Sequence, residues 1–219
     1  MVRVDDLTPI AQDYLKVIWS AIEWGDSPIT TKGLAARFAT TQANVSETMR
    51  RLHRQGLVNY QPYKPVTLTS LGESLAVAMV RRHRLLETYL AQALSYGWEE
   101  VHDEAERLEH AVSDDFLDRI DHLLGHPRID PHGDPIPGPG GDWTPQADAI
   151  KLSQAAPGQY RVVRVADADP EQLARLRRQH LSPGSIIHVR AGLTPVVLGG
   201  SSPANMQPGD LDAIRVRPA

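Results

Sequence analysis

The 219-residue sequence predicts a mainly α-helical fold with a small β domain at its C-terminal end. Three observations carry that expectation. Helical apolar periodicity dominates the first half, a Pro- and Gly-rich stretch runs from residue 126 to about 147, and short alternating β runs follow it. In LTPIAQDYLKVIWSAIEW, Ile10, Tyr14, Leu15, Ile18 and Ile22 recur at helical spacing before Gly25, so residues 7–24 read as a first amphipathic helix. A short helix over about 31–38 is followed by ATTQ and a helix over 42–55, which Thr41 N-caps and Gly56 closes. Val45, Met49 and Leu52 share one face of that helix and should pack inward. The β-rich runs LVNY and VTLTS flank QPYKP. Helix, short turn, helix and two-stranded wing make a winged helix-turn-helix.

Ser70 to Glu73 has the spacing of a capping box and opens a long helix to about Leu94. VHDEAERLEH starts the next, which is expected to continue through DDFLDRIDHLLG. Two long amphipathic helices behind a DNA-reading module are a natural dimerisation unit, and a palindromic operator calls for a homodimer. HPRIDPHGDPIPGPGGDWTPQA is a linker or an irregular packed loop. QYRVVRVA, SIIHVRA, PVVLGG and AIRVRP, with a short helix in PEQLARLRR, read as a β-barrel of SH3-like (FeoA-like) size. The predicted domains are 1–72, the winged helix-turn-helix; 73–147, the helical metal-binding and dimerisation domain with its linker; and 148–219, the SH3-like domain.

An apolar fraction of 41% is enough for a buried core. The absence of cysteine excludes disulfides, thiolate zinc sites and iron–sulfur clusters, so any metal here binds through nitrogen, oxygen or thioether. MVRVDDLTPIAQDYL has no apolar run of signal length, and no window approaches the ~18 apolar residues of a membrane span; the expectation is a cytoplasmic protein without membrane contact. A net charge of −4 argues against nucleic acid until its distribution is read. Residues 31–65 hold Lys32, Arg37, Arg50, Arg51, Arg54 and Lys64 against Glu47 alone, so a +5 segment sits on a −9 body. Double-stranded DNA is the expected partner. Thr41, Gln42, Ala43, Asn44, Ser46 and Glu47 are placed to approach base edges, while Arg50, Arg51, Arg54 and Lys64 suit phosphates.

VHDEAERLEH carries two histidines and four carboxylates in ten residues. On a helix, His102, Glu106, Glu109 and His110 fall at about 0°, 40°, −20° and 80°, one polar stripe beside an apolar one of Val101, Ala105, Leu108, Val112 and Phe116. Such a stripe is either the wet border of a core helix or a ligand set. On the preceding helix His83 and Glu87 stand i, i+4 on one face, so the two helices can oppose them to His102. Glu106, Glu109 and His110 lie one turn along as a second set.

The ordered run RRHRLLE, VHDEAERLEH and HPxxxPHGDPIP behind a winged helix closely resembles the diphtheria toxin repressor family of metal-dependent transcriptional repressors, over nearly the whole chain. The resemblance implies two metal sites per subunit, one on His83, Glu87 and His102 and one on Asp13, Glu106, Glu109 and His110. It also implies C-terminal ligands at Asp169 and Gln172, with Glu171 as a substitute. The same Asp-Pro-Glu-Gln run is a standard helix start, so capping competes with ligation there. Iron-type members place methionine where Asp13 stands and cysteine where Glu106 stands. Oxygen at both positions points to Mn²⁺, with Fe²⁺ as the alternative. Lys16 stands where manganese-type members carry a second carboxylate. The implied function is a metal-responsive repressor of metal-homeostasis genes. A metal-dependent hydrolase lacks support, since HExxH and GxSxG are absent. A metal-independent winged-helix regulator stays open, and it predicts DNA binding unaffected by chelator.

Overall fold

The computed structural model describes residues 2–25, 28–146, 148–167, 169–190, 206–207 and 209–219, together with the backbone of 195–197. The chain divides into two compact units, residues 1–82 with 137–143, and residues 83–136 with 144–219.

The first unit opens with helix α1 (Pro9–Glu23), where Thr8 caps the backbone N–H of Ala11 and proline occupies the first turn. Its buried face is Tyr14, Leu15 and Ile18, whereas Ile10 and Ile22, assigned to the same stripe from the sequence, are exposed. Helices α2 (Thr31–Arg37) and α3 (Gln42–Arg54) follow, capped by Thr30 and Thr41. Val45, Met49 and Leu52 of α3 are fully buried and join Leu15, Ile18, Leu34 and Leu57 in one core. Strands β1 (Val58–Asn59) and β2 (Thr67–Leu68) pair antiparallel as the wing. Helix α4 (Ser70–Leu94) begins one residue after its effective cap, because the Thr69 hydroxyl, not that of Ser70, accepts the Gly72 N–H. Gly72 is required there: a Cβ would stand 1.9 Å from the Leu57 carbonyl oxygen.

In the second unit, the rest of α4 packs against α5 (Val101–Leu108) and α6 (Asp114–Leu123) through Leu85, Leu86, Leu90, Val101, Ala105, Leu117 and Ile120. The single helix expected from Val101 to Leu124 is therefore two. Ser113 caps the Phe116 N–H, with Asp114 and Asp115 filling the first turn, so a new helix start wins over continuation. Phe116 is consequently exposed. The Pro-rich stretch is a packed loop at residues 132–137, which are buried, and an isolated bridge joins Ile129 to Pro135.

Strands β3 (Ile150–Lys151), β4 (Gly158–Val165), β5 (Ile186–Val189), β6 (Pro195–Val197) and β7 (Ile214–Pro218) make one antiparallel sheet in the order β3-β7-β4-β5-β6. Helix α7 (Pro170–Arg178) buries Leu173 and Leu176 against Val162, Val165, Ile187, Val189, Ile214 and Val216. The sheet is not closed among the described residues, which corrects the expectation of an SH3-like barrel. Its edge strands β3 and β6, two and three residues long, each pair with one neighbour, and such short edges offer little ladder for closure. The end of the expected strand PVVLGG, at 198–200, lies outside the described residues.

Candidate metal centre and nucleic-acid interface

Helix α4 carries His83 and Glu87 on one face, one turn apart, with His83 Nε2 3.0 Å from Glu87 Oε1. His102, on the first turn of α5, closes on both: its Nδ1 is 3.2 Å from His83 Nε2 and 3.4 Å from Glu87 Oε1. Asp167, two residues beyond β4, completes this group with Oδ2 3.3 Å from His102 Nδ1. One ligand atom from each of His83, Glu87, His102 and Asp167 lies within 4.8 Å of the others. On the other side of His83, Nδ1 is 2.6 Å from Glu109 Oε2 and 3.8 Å from Glu106 Oε1. His110 follows the C-cap of α5, so it does not extend the helical stripe; its Nε2 is 3.6 Å from Glu109 Oε1.

The packed loop contributes a third group that sequence reasoning missed. Glu87, Asp130 and His132 bring ligand atoms within 4.8 Å of one another, all buried. Asp130 is held by its own turn: Oδ1 accepts the backbone N–H of His132 at 2.8 Å and of Asp134 at 2.9 Å. His132 Nε2 donates to the Trp98 carbonyl at 2.6 Å, which orients the ring and turns Nδ1 toward Glu87 Oε2, 3.6 Å away. Glu87 Oε2, Asp130 Oδ2 and His132 Nδ1 are then buried with no hydrogen-bond partner. They meet charged neighbours only at longer range, Glu87 Oε2 3.6 Å from His132 Nδ1 and Asp130 Oδ2 3.7 Å from Arg84 Nε, and polar atoms buried without hydrogen bonds cost free energy, so this trio fits a cation held by oxygen and nitrogen.

The electrostatics agree. Burial raises the Asp130 carboxyl, and Asp134 and Glu87 push it further, well above the usual carboxylate range. Burial opposes the charged form of His132, yet Glu87, Asp130 and Asp167 outweigh it and lift the imidazole well above its usual range. For His102 burial again works downward, but hydrogen bonds to Asp167 and Glu87 raise it to about 10. Burial would raise Glu87, but His83 and His132 hold it well below its usual range. Protons on the histidines balance these carboxylates, and a divalent ion would replace them.

The expected C-terminal ligands are placed differently. Asp169 Oδ1 accepts the backbone N–H groups of Glu171 at 3.0 Å and Gln172 at 3.1 Å, the N-cap of α7. Gln172 Nε2 donates 2.8 Å to Asp210, and Glu171 is exposed. Capping occupies this run, and Asp167 supplies the carboxylate that reaches His102. Asp13 lies half-buried on α1 in the first unit.

On α3, Thr41, Gln42, Ala43, Asn44, Glu47, Arg50, Arg51 and Arg54 are exposed and Ser46 is half-buried. The Thr41 hydroxyl caps Asn44, whose Nδ2 donates 3.1 Å to Thr40. Glu47 is 3.2 Å from Arg50 and 3.8 Å from Arg54, so the acid braces two arginines on that face. Lys64 is exposed on the wing.

A winged helix with an exposed basic reading helix, in one chain with a buried carboxylate–imidazole centre, defines a metal-responsive DNA-binding regulator. Residues 6–66 match the iron dependent repressor N-terminal DNA binding domain, and residues 69–138 match the iron dependent repressor metal binding and dimerisation domain. The iron-dependent repressor IdeR of Mycobacterium bovis is 31% identical over 215 residues, covering 90% of this chain and 92% of that protein. The diphtheria toxin repressor of Corynebacterium glutamicum is 32% identical over 209 residues, covering 90% and 91%. Among solved structures, a manganese-dependent transcriptional repressor in complex with manganese superposes with a TM-score of 0.87 at 43% identity, covering 95% of this chain and all of that one. The manganese regulator SloR gives 0.80 at 30% identity, covering 97% and 100%. The chain belongs to the iron-dependent, or diphtheria toxin, repressor family: it is a metal-dependent DNA-binding repressor and not an enzyme. No helix among the described residues is long and apolar enough to cross a membrane.

Proposed function

We propose that this chain is a manganese-responsive repressor that acts in the cytoplasm as a homodimer on a palindromic operator, with two metal sites per subunit. The observation that carries the metal assignment is the convergence of Glu87 Oε2, Asp130 Oδ2 and His132 Nδ1, buried and without hydrogen bonds. His83, Glu87, His102 and Asp167, with Asp130 and His132 on the other oxygen of Glu87, would hold one ion; Glu106, Glu109 and His110 would hold the second, with Asp13 added on the family resemblance. His83 lies against carboxylates of both sets. The sets contain no sulfur donor, and oxygen-rich sites suit Mn²⁺ over later metals. Solved manganese-dependent repressors at 43% and 30% identity support the same reading. Iron is the second reading, favoured by the names of the curated relatives.

The ion supplies positive charge where buried carboxylates now rely on protons. This chain's residues do the rest: α4 and α5 present fixed donors, the Asp130 turn aims one carboxylate oxygen inward, and the Trp98 carbonyl orients the His132 ring. Metal favours whichever arrangement gathers these donors, and shifting a regulator from 1:99 to 99:1 takes about 5.5 kcal/mol of differential binding. The test is fluorescence anisotropy on operator DNA with apo protein and with Mn²⁺, anaerobic Fe²⁺ or Zn²⁺, beside Glu87→Ala and Glu106→Ala. Binding that needs metal and is lost in both variants supports the two-site switch. Binding indifferent to chelator overturns it, and a preference for Fe²⁺ overturns the manganese assignment.

A further inference from the structure

The wing carries a residue whose placement the fold does not explain. Its backbone is anchored: Asn59 Nδ2 donates to the Thr67 hydroxyl and the Leu68 carbonyl, both at 3.3 Å, and the Val66 N–H donates 3.0 Å to the Ile29 carbonyl. His53 Nδ1, at the end of α3, lies 2.9 Å from the Val58 carbonyl and ties the reading helix to the wing. Tyr60 packs against the core. Tyr63, three residues on, does the opposite. It is 102% exposed and sits at φ +65°, a left-handed backbone that glycine adopts far more cheaply. The loop around it is stiff, since Pro62 and Pro65 bracket it and the Lys64 N–H closes on the Gln61 carbonyl at 3.1 Å. An aromatic ring thus stands in water on a costly backbone, beside a lysine, on the unit that presents Arg50, Arg51 and Arg54.

Aromatic plus cation on a rigid ribbon next to a reading helix is the chemistry of the DNA backbone and minor groove. A helix fills the major groove, and a ribbon beside it reaches the neighbouring sugar–phosphate wall. We propose that Tyr63 is a DNA-contact residue. Its ring packs against deoxyribose in the minor groove flanking the half-site read by α3, and Lys64 takes the adjoining phosphate. The proposal rests on the chain's DNA binding and adds a contact that the reading helix does not make.

The experiment uses the full-length chain with Mn²⁺ and a duplex that the wild-type protein itself selects from a random double-stranded library. Anisotropy and hydroxyl-radical footprinting, which reads deoxyribose exposure, are measured for wild type, Tyr63→Gly, Tyr63→Phe and Lys64→Ala. Tyr63→Gly should weaken binding on the order of tenfold and lose sugar protection only at the outer edge of each half-site. Its Tm should equal or exceed that of wild type, because glycine relieves the left-handed backbone. Tyr63→Phe should keep affinity within about twofold, as the ring and not the hydroxyl makes the contact. Lys64→Ala should lower the salt slope by about one, and the Tyr63 variants should leave it unchanged. Equal affinity and an unchanged footprint for Tyr63→Gly overturn the wing contact. A wild-type protein that selects no DNA overturns the reading beneath it, a separate outcome.

Discussion

Glu87 is the residue on which the second unit turns. One carboxylate oxygen faces His83 and His102 and the other faces His132, so it belongs to two ligand groups at once. Glu87→Gln keeps the volume and removes the charge; Mn²⁺ affinity by isothermal titration calorimetry should fall by at least about 100-fold. Asp130→Asn should lose a similar amount while retaining the turn, since an amide oxygen still accepts the His132 and Asp134 N–H groups. His102 makes a pH prediction for the metal-free protein. Its pKa rises from 6.5 unfolded to about 10 folded. The charged ring therefore stabilises the fold fully below pH 6.5, and this contribution is lost as pH climbs through about 10. The Tm of apo protein should fall across that window, and His102→Gln should flatten the fall. His83, Glu87 and His102 were legible because i, i+4 spacing on two adjacent helices is a local pattern. Asp130, His132 and Asp167 were not: they lie in a loop and after a strand, where no periodicity says which side chain turns inward.

Elements decide which residues can meet. The loop carrying Asp130 and His132 lies against β4, where the Val165 N–H donates 2.9 Å to the His132 carbonyl. Gly133 makes that approach possible, at φ +89° with the Val163 oxygen only 1.9 Å from where a Cβ would stand. Gly133→Ala should destabilise the protein by about 2 kcal/mol or more in urea denaturation and weaken Mn²⁺ binding together with it. In the first unit, Thr41 caps α3, and Thr41→Ala should cost about 1 kcal/mol in the same measurement. The break between α5 and α6 shows how one serine reorganises an element. An apolar pattern that reads as continuous is cut by the Ser113 cap, and His110 leaves the helical stripe for the turn. Helix starts were readable where a cap precedes an apolar run. The Ser113 cap was masked because the period on either side of it stays in phase.

At the scale of the whole molecule, charge is divided between two jobs. The basic segment 31–65 carries charge of the sign that suits phosphates, and the acidic remainder includes the buried carboxylates of the candidate metal centre. Saturating Mn²⁺ should raise the Tm, and the gain should grow with the logarithm of free metal and vanish in chelator. The sequence by itself determined the winged helix-turn-helix, the long helix over 70–94, the basic reading helix and the histidine–carboxylate pairing on neighbouring helices. Each of these is written in local spacing, capping and charge. Tertiary structure decided that the sheet is open over the described residues. It also decided that Asp169 caps a helix while Asp167 reaches His102, and that a proline-rich loop delivers Asp130 and His132 to Glu87. The reason is physical: those choices depend on residues far apart in sequence sharing one buried space, where unmet hydrogen-bonding and charge, not periodicity, set the arrangement.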